Sequence, residues 1–191
     1  YYGGNSVYGS DIPIACVGVI SKVNMVFMAI CIGISQGSQP IWGFNYGAQK
    51  YDRVRQTYRY SVTACTVIAT IFFACFQLFP HQIVSIFGTG SDLYFQFAER
   101  YLKIFMFMTF ANGIQPMSSG FFTSIGMAKL GIVMSLTRQV IFLLPLIIIF
   151  PLFMGIDGVM YAGPIADAAA FVLAIVFARR ELTKMRKAEV A

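Results

Sequence analysis

The chain has 191 residues, 58% of them hydrophobic and only 12% charged, against about 25% charged in an ordinary soluble domain. Its mean hydropathy is +0.70, it holds 19 Phe and 10 Tyr, and its net charge is +6. These values exclude a disordered chain and a disulfide scaffold, and leave too few charges to cover the water-facing surface of a soluble enzyme. They equally argue against a nucleic-acid module: the basic excess reads as orientation in a membrane, and the bilayer is the expected solvent.

The charges are sparse because they are clustered. No Asp, Glu, Lys or Arg occurs between Lys22 and Lys50, between Arg59 and Asp92, between Lys103 and Lys129, or between Arg138 and Asp157. The first three runs exceed the ~20 residues that cross ~30 Å of hydrocarbon at 1.5 Å per residue. The pattern recurs along the whole chain, so none of these runs is a signal peptide. Five membrane helices are expected in an all-α lobe, at about 12–34, 58–79, 104–125, 130–153 and 159–178. The first continues loosely through Pro40 and Trp42; Pro40 should break the helix, and Asn45-Tyr46-Gly47 should make the turn. Pro116 and Pro145 are the expected kinks. Residues 92–103 are too charged to span. Leu93, Phe97, Tyr101 and Ile104 share a helical face there, which predicts a short interfacial helix leading into the third span. Cys16, Cys31, Cys65 and Cys75 lie in apolar runs without paired spacing and are read as reduced packing residues.

Basic residues give the orientation. Lys50, Arg53, Arg55, Arg59, Lys129, Arg179, Arg180, Lys184, Arg186 and Lys187 fall on one side, and only Arg100 and Lys103 on the other. The Lys50 loop and a tail at 179–191 are therefore expected in the cytoplasm, and the first residues outside it. The chain opens on Tyr1 rather than Met, in a polar Tyr- and Gly-rich stretch, and an outside start implies an odd number of helices upstream.

The most informative stretch runs from Gly33 to Gln49. Gly33, Gly37 and Ser38 permit close helix approach, and Gln36 and Gln39 place amides at membrane depth. Pro40 and Asn45-Tyr46-Gly47-Ala48 follow, then Lys50, Asp52, Arg53 and Arg55. As a pattern this resembles the loop after the eighth helix of multidrug and toxic compound extrusion (MATE) transporters. Ala128-Lys129 with Arg138 is similar to the next cytoplasmic loop of that family. Gly155-Ile156-Asp157-Gly158 with Ala162 to Asp167 is similar to the start of its last helix. The resemblance covers essentially the whole chain and fits the bacterial drug-efflux branch best.

The resemblance implies a twelve-helix transporter of two six-helix lobes, of which this chain would hold helices eight to twelve. The amino-terminal lobe and the seventh helix would be missing partners. It implies export of organic, often cationic, drugs across the plasma membrane by antiport against Na+ or H+, with membrane lipid and small-molecule drugs as partners and no cofactor. Some sodium-coupled members carry an acidic residue in the tenth helix, whereas this chain has none between Lys103 and Lys129. In the other branch the coupling aspartate would sit in the missing lobe.

Ionisable residues inside spans are functional candidates by default, and Lys22, Arg138 and Asp167 qualify. Each also has a structural reading: snorkelling for Lys22 and Arg138, and for Asp167 a pairing with Lys22 at similar outer-half depth. Asn112, Gln115 and Ser119 share a helical face beside Pro116 and, with Gln36 and Gln39, are the candidates for lining a substrate cavity. Hydrogen bonding between helices is the competing role for that face. No metal-ligand cluster and no catalytic motif is present. Gly88-Thr89-Gly90-Ser91-Asp92 departs from an intramembrane-protease motif by one residue, and His81 is the sole histidine. Two alternatives remain: a lipid-linked saccharide flippase of the same wider superfamily, which should carry more cavity cations than Lys22 and Arg138, and a membrane fragment that does not transport.

Overall fold

A computed structural model of the chain describes residues 11–88 and 90–190. The polar opening stretch 1–10, and Thr89 of the near-protease motif, lie outside the described residues. Every regular element among the described residues is helical: α1 (Asp11–Gly47), α2 (Tyr51–Leu78), α3 (Pro80–Phe87), α4 (Asp92–Phe105), α5 (Thr109–Asn112), α6 (Ile114–Ser124), α7 (Ala128–Leu136), a π-helical turn (Thr137–Leu143), α8 (Leu144–Met154) and α9 (Ile156–Val190).

Among the described residues, four continuous stretches are long and apolar enough to cross a membrane: Asp11–Gly47, Tyr51–Leu78, Ala128–Met154 and Ile156–Glu189. Ile86, Leu152 and Phe153 are among many large apolar side chains left exposed on the outside of the bundle. The interior, by contrast, holds Ser35, Ser38, Ser61, Asn112, Gln115, Arg138 and Asp167. An apolar exterior around a partly polar interior suits hydrocarbon as solvent, since lipid cannot satisfy a polar group and a neighbouring helix can.

The long helices pack through regular stripes. α1 buries Cys16, Ile20, Val23, Phe27, Cys31, Ser35, Ser38, Trp42 and Asn45, three or four residues apart. That stripe meets α2, α4 and α6. α9 presents Ala162, Ala166, Ala170, Ala174 and Ala178, one alanine per turn and all buried. Small side chains at every fourth position let backbones come close, and α9 accordingly touches α2, α4, α5, α6 and α8. Trp42, Tyr58 and Phe121 form an aromatic knot between α1, α2 and α6, with ring centroids 4.7–5.9 Å apart.

The third expected span is not one helix. It is interrupted at 106–108 and again at Gly113, giving α4, α5 and α6. Thr109 Oγ1 donates to the Met106 carbonyl at 2.6 Å, and Cys65 Sγ to the Gly113 carbonyl at 3.5 Å, so neighbouring side chains satisfy backbone groups freed by the breaks. α4 buries Tyr94, Phe97, Ala98, Tyr101 and Leu102 against the bundle, while Leu93 stays exposed.

The expected end of the first span is corrected. Pro40 does not end α1, which continues to Gly47. The helix closes instead at Gln49, whose φ of 57° is left-handed; its N–H donates to Tyr46 O at 3.0 Å and that of Lys50 to Asn45 O at 2.9 Å. This is the Schellman pattern, in which a left-handed residue past the helix end returns two N–H groups to the last carbonyls. Pro116 lies in the first turn of α6, just after the break at Gly113, in line with the kink expected there. Pro145 opens α8 after the π turn, where Leu144 N–H reaches back five residues to Gln139 O. Pro145 has no N–H to give, and the widened turn precedes it.

Residues 179–189 also extend α9 as a helix: Glu181 and Met185 are buried, and Glu189 reaches Arg55 at 2.9 Å.

Candidate functional site

A polar recess opens on the side of the bundle. It holds about 330 Å³ and is walled by α1, α6, α7 and the π turn. α1 supplies Ser35, Gln36 and Gln39; α6 supplies Gln115, Pro116, Ser119, Gly120 and Thr123; α7 supplies Ser135; the π turn supplies Arg138 and Gln139. Met28 and Ile32 complete it as an apolar strip.

The wall depends on close packing at its floor. A Cβ on Gly120 would lie 2.2 Å from Ser35 Oγ and 3.0 Å from Gln39 Nε2, so a larger residue there would have to displace the Ser35 hydroxyl. Ser35 Oγ donates to the Pro116 carbonyl at 3.0 Å and locks the crossing. Gln115 Nε2 donates to Met134 O and Ser119 Oγ to Gly131 O, both at 2.8 Å, which pins α6 to α7. Gln36 is exposed and Gln39 half-buried, so their amides remain the adaptable part of the wall.

Of the five expected cavity residues, the structure brings together Gln36, Gln39, Gln115 and Ser119. Asn112 is not among the lining residues: the break at Gly113 takes it off the face of Gln115 and Ser119. Its Nδ2 donates instead to Asp167 Oδ2 at 3.2 Å. Arg138 was expected only as a charge within a span, and it is part of the wall. Ser35, Thr123 and Ser135 were not singled out by sequence; isolated hydroxyls in apolar runs carry no signal until the helices are placed.

Behind the wall lies the buried charge. Arg138 Nε donates directly to Asp167 Oδ1, with the two side chains only 7% and 4% exposed. This overturns the expected pairing of Lys22 with Asp167. Lys22 is exposed on α1. The π turn brings Arg138 inward to α9, and a carboxylate sealed among helices takes the cation that is sealed with it. With Asn112 as a further donor, the pair joins α5, the π turn and α9. Among the described residues no three His, Cys, Asp or Glu side chains come together.

The expected loop motif is divided. Asn45 is buried and donates to the Ile41 carbonyl at 2.8 Å, Tyr46 and Tyr51 stack edge to face at 5.6 Å, and Gly47, Ala48 and Arg53 are exposed. On the opposite end, His81 meets Glu99 at 2.7 Å and Arg100 meets Asp157 at 3.2 Å.

The chain is 24% identical over 179 residues to the multidrug export protein MepA of Staphylococcus aureus (strain bovine RF122 / ET3-1), a match covering 92% of this chain and 39% of that protein. It is 36% identical to the MATE multidrug transporter DinF-BH, solved in complex with a ligand, with a TM-score of 0.79 over 86% of this chain and 36% of that one. It shares its fold with a MATE protein solved in a bent conformation, at a TM-score of 0.87 and 17% identity, over 96% of this chain and 40% of that one. The chain thus spans about two fifths of the relatives it matches. The MatE family model matches residues 6–155, most of the chain, and on that match the chain belongs to the MatE family of membrane transporters.

Proposed function

We propose that this chain is the carboxy-terminal lobe of a multidrug exporter that expels organic, often cationic, compounds by antiport against Na+ or H+. The observation that carries the reading is the polar recess lined by Gln36, Gln39, Gln115 and Ser119, walled by helices whose runs are otherwise apolar. Amides and hydroxyls bind varied organic groups without demanding one charge pattern, and Met28 and Ile32 add a deformable apolar side. Arg138 in the wall would repel a cation if it stood alone, but Asp167 neutralises it. The missing amino-terminal lobe would close the recess, and alternating access would come from one lobe rocking against the other around it. No covalent step is involved. In this reading the protein sits in the plasma membrane with Lys50 and the end of α9 on the cytoplasmic side.

Dye retention in living cells tests the function. A full-length transporter carrying this chain should lower retention of a cationic dye, and Gln36→Ala should weaken that export without changing folded yield. Cells making residues 1–191 alone should retain dye like empty-vector cells. Ion-dependent efflux by the short chain alone, or full export with Gln36→Ala, would count against the cavity as the binding surface. The orientation has its own check: a thiol-reactive probe that cannot cross membranes should label a cysteine placed at Ser91 and not one at Gln49. Labelling at Gln49 in intact cells reverses the topology.

A further inference from the structure

A second recess, of about 550 Å³, lies at the basic end of the bundle between α2 and α9, and the candidate transport site makes no use of it. Asp52, Arg55, Gln56 and Arg59 line it from one face of α2, at i, i+3, i+4 and i+7, together with Tyr60 and with Arg186 of α9. Its charges do not balance. Both nearby carboxylates are committed to Arg55, whose guanidinium lies 2.9 Å from Asp52 and 2.9 Å from Glu189. Arg59 and Arg186 have no carboxylate partner among the described residues and stay exposed. Arg55 Nε is itself buried without an acceptor. Two uncompensated guanidinium groups facing one recess form a receptor for an anion with several oxygens, because the planar fork matches phosphate geometry.

What lies beside the recess selects the anion. Arg59 is the last charge before the long apolar run of α2. Below it Tyr60, Val67, Ile71 and Leu78 repeat at seven- and four-residue steps down one face of α2, and all four are exposed. A free phosphate would use only the recess, whereas a phospholipid would use the recess for its headgroup and this apolar track for an acyl chain. An exposed tyrosine at the junction fits the aromatic belt at headgroup depth.

We propose that the Arg55–Arg59–Arg186 recess is a binding site for the phosphate headgroup of an anionic phospholipid, with the lipid tail lying along Tyr60, Val67 and Ile71. The inference depends neither on the compound transported nor on which side of the membrane this end faces.

Native mass spectrometry of the 191-residue chain released from detergent micelles tests it, with phosphatidylglycerol, phosphatidylcholine and inorganic phosphate as probes. Phosphatidylglycerol should bind at least about tenfold tighter than phosphatidylcholine. The double variant Arg59→Gln/Arg186→Gln should lose about 30-fold in phosphatidylglycerol affinity, as two basic contacts with an anionic headgroup would supply. A second double variant, Lys129→Gln/Lys187→Gln, removes equal charge from exposed positions outside the recess and should keep the affinity within about threefold. Circular dichroism should show equal helix content in both variants. Millimolar inorganic phosphate should not displace the lipid. Equal binding of the two lipids, equal loss in both double variants, or displacement by inorganic phosphate would each overturn the proposal.

Discussion

Replacing Arg138 by methionine alone should destabilise the chain by about 3–5 kcal/mol, because it leaves the Asp167 carboxylate sealed in the bundle without its cation. Asp167→Leu should cost a similar amount by stranding the guanidinium. The double variant Arg138→Met/Asp167→Leu should recover most of the loss. It removes both charges together, and a buried ion pair is worth little against well-packed apolar side chains of similar volume. Asn112 would keep a local cost in the double variant, since its amide also donates to Asp167. Lys22→Gln should change stability by less than about 0.5 kcal/mol, because Lys22 is exposed. Reversible unfolding in mixed detergent micelles would read all four values. If Arg138→Met proved as mild as Lys22→Gln, the buried pair would not hold α5, the π turn and α9 together. The sequence admitted a Lys22–Asp167 pair; the cycle discriminates it from the Arg138–Asp167 pair in the structure.

Among the described glycines, Gly158→Ala should be the most damaging substitution, costing about 3 kcal/mol, the upper part of the range for overpacking. A Cβ there would sit 2.5 Å from the Phe150 carbonyl carbon and 2.7 Å from both Phe150 O and Pro151 N. Those are backbone atoms and cannot rotate away. The α8–α9 hairpin would have to open, and Gly155 with φ 59° and ψ −138° already fixes how it turns. Gly37→Ala offers the contrast: nothing lies within 4 Å of the added methyl, and the site is inside α1. That change should be neutral or stabilise by about 0.5–1 kcal/mol, the helix penalty of glycine. A Gly158→Ala variant that unfolds within about 1 kcal/mol of the original would mean the hairpin is less tightly closed than the structure has it. Thermal unfolding of the pair at matched detergent concentration makes the comparison.

Composition and charge placement alone determine that this chain is a helical membrane protein. Long runs without charge cannot be covered by water, and hydrocarbon admits only segments whose backbone groups are satisfied internally. The regions of the long helices, the basic end of the bundle and the family resemblance of the Gly33–Gln49 stretch all follow from such local information. Gln36, Gln39, Gln115 and Ser119 were legible as a set because polar side chains in apolar runs are few. What the chain could not reveal by itself depends on helix rotation. The break at 106–108 occurs in Met106-Phe107-Met108, with neither proline nor glycine to mark it, and the short α5 that follows packs against α2 and α9. The second break, at Gly113, takes Asn112 off the recess wall, and its amide meets Asp167. The π turn rotates Arg138 into the wall and onto Asp167, and Lys22 is left outside. A one-residue change in helical register turns a side chain by about 100°, so the partner of a buried charge is decided only when neighbouring helices are packed. Sequence therefore determines which residues enter the membrane, and tertiary packing decides which of them meet.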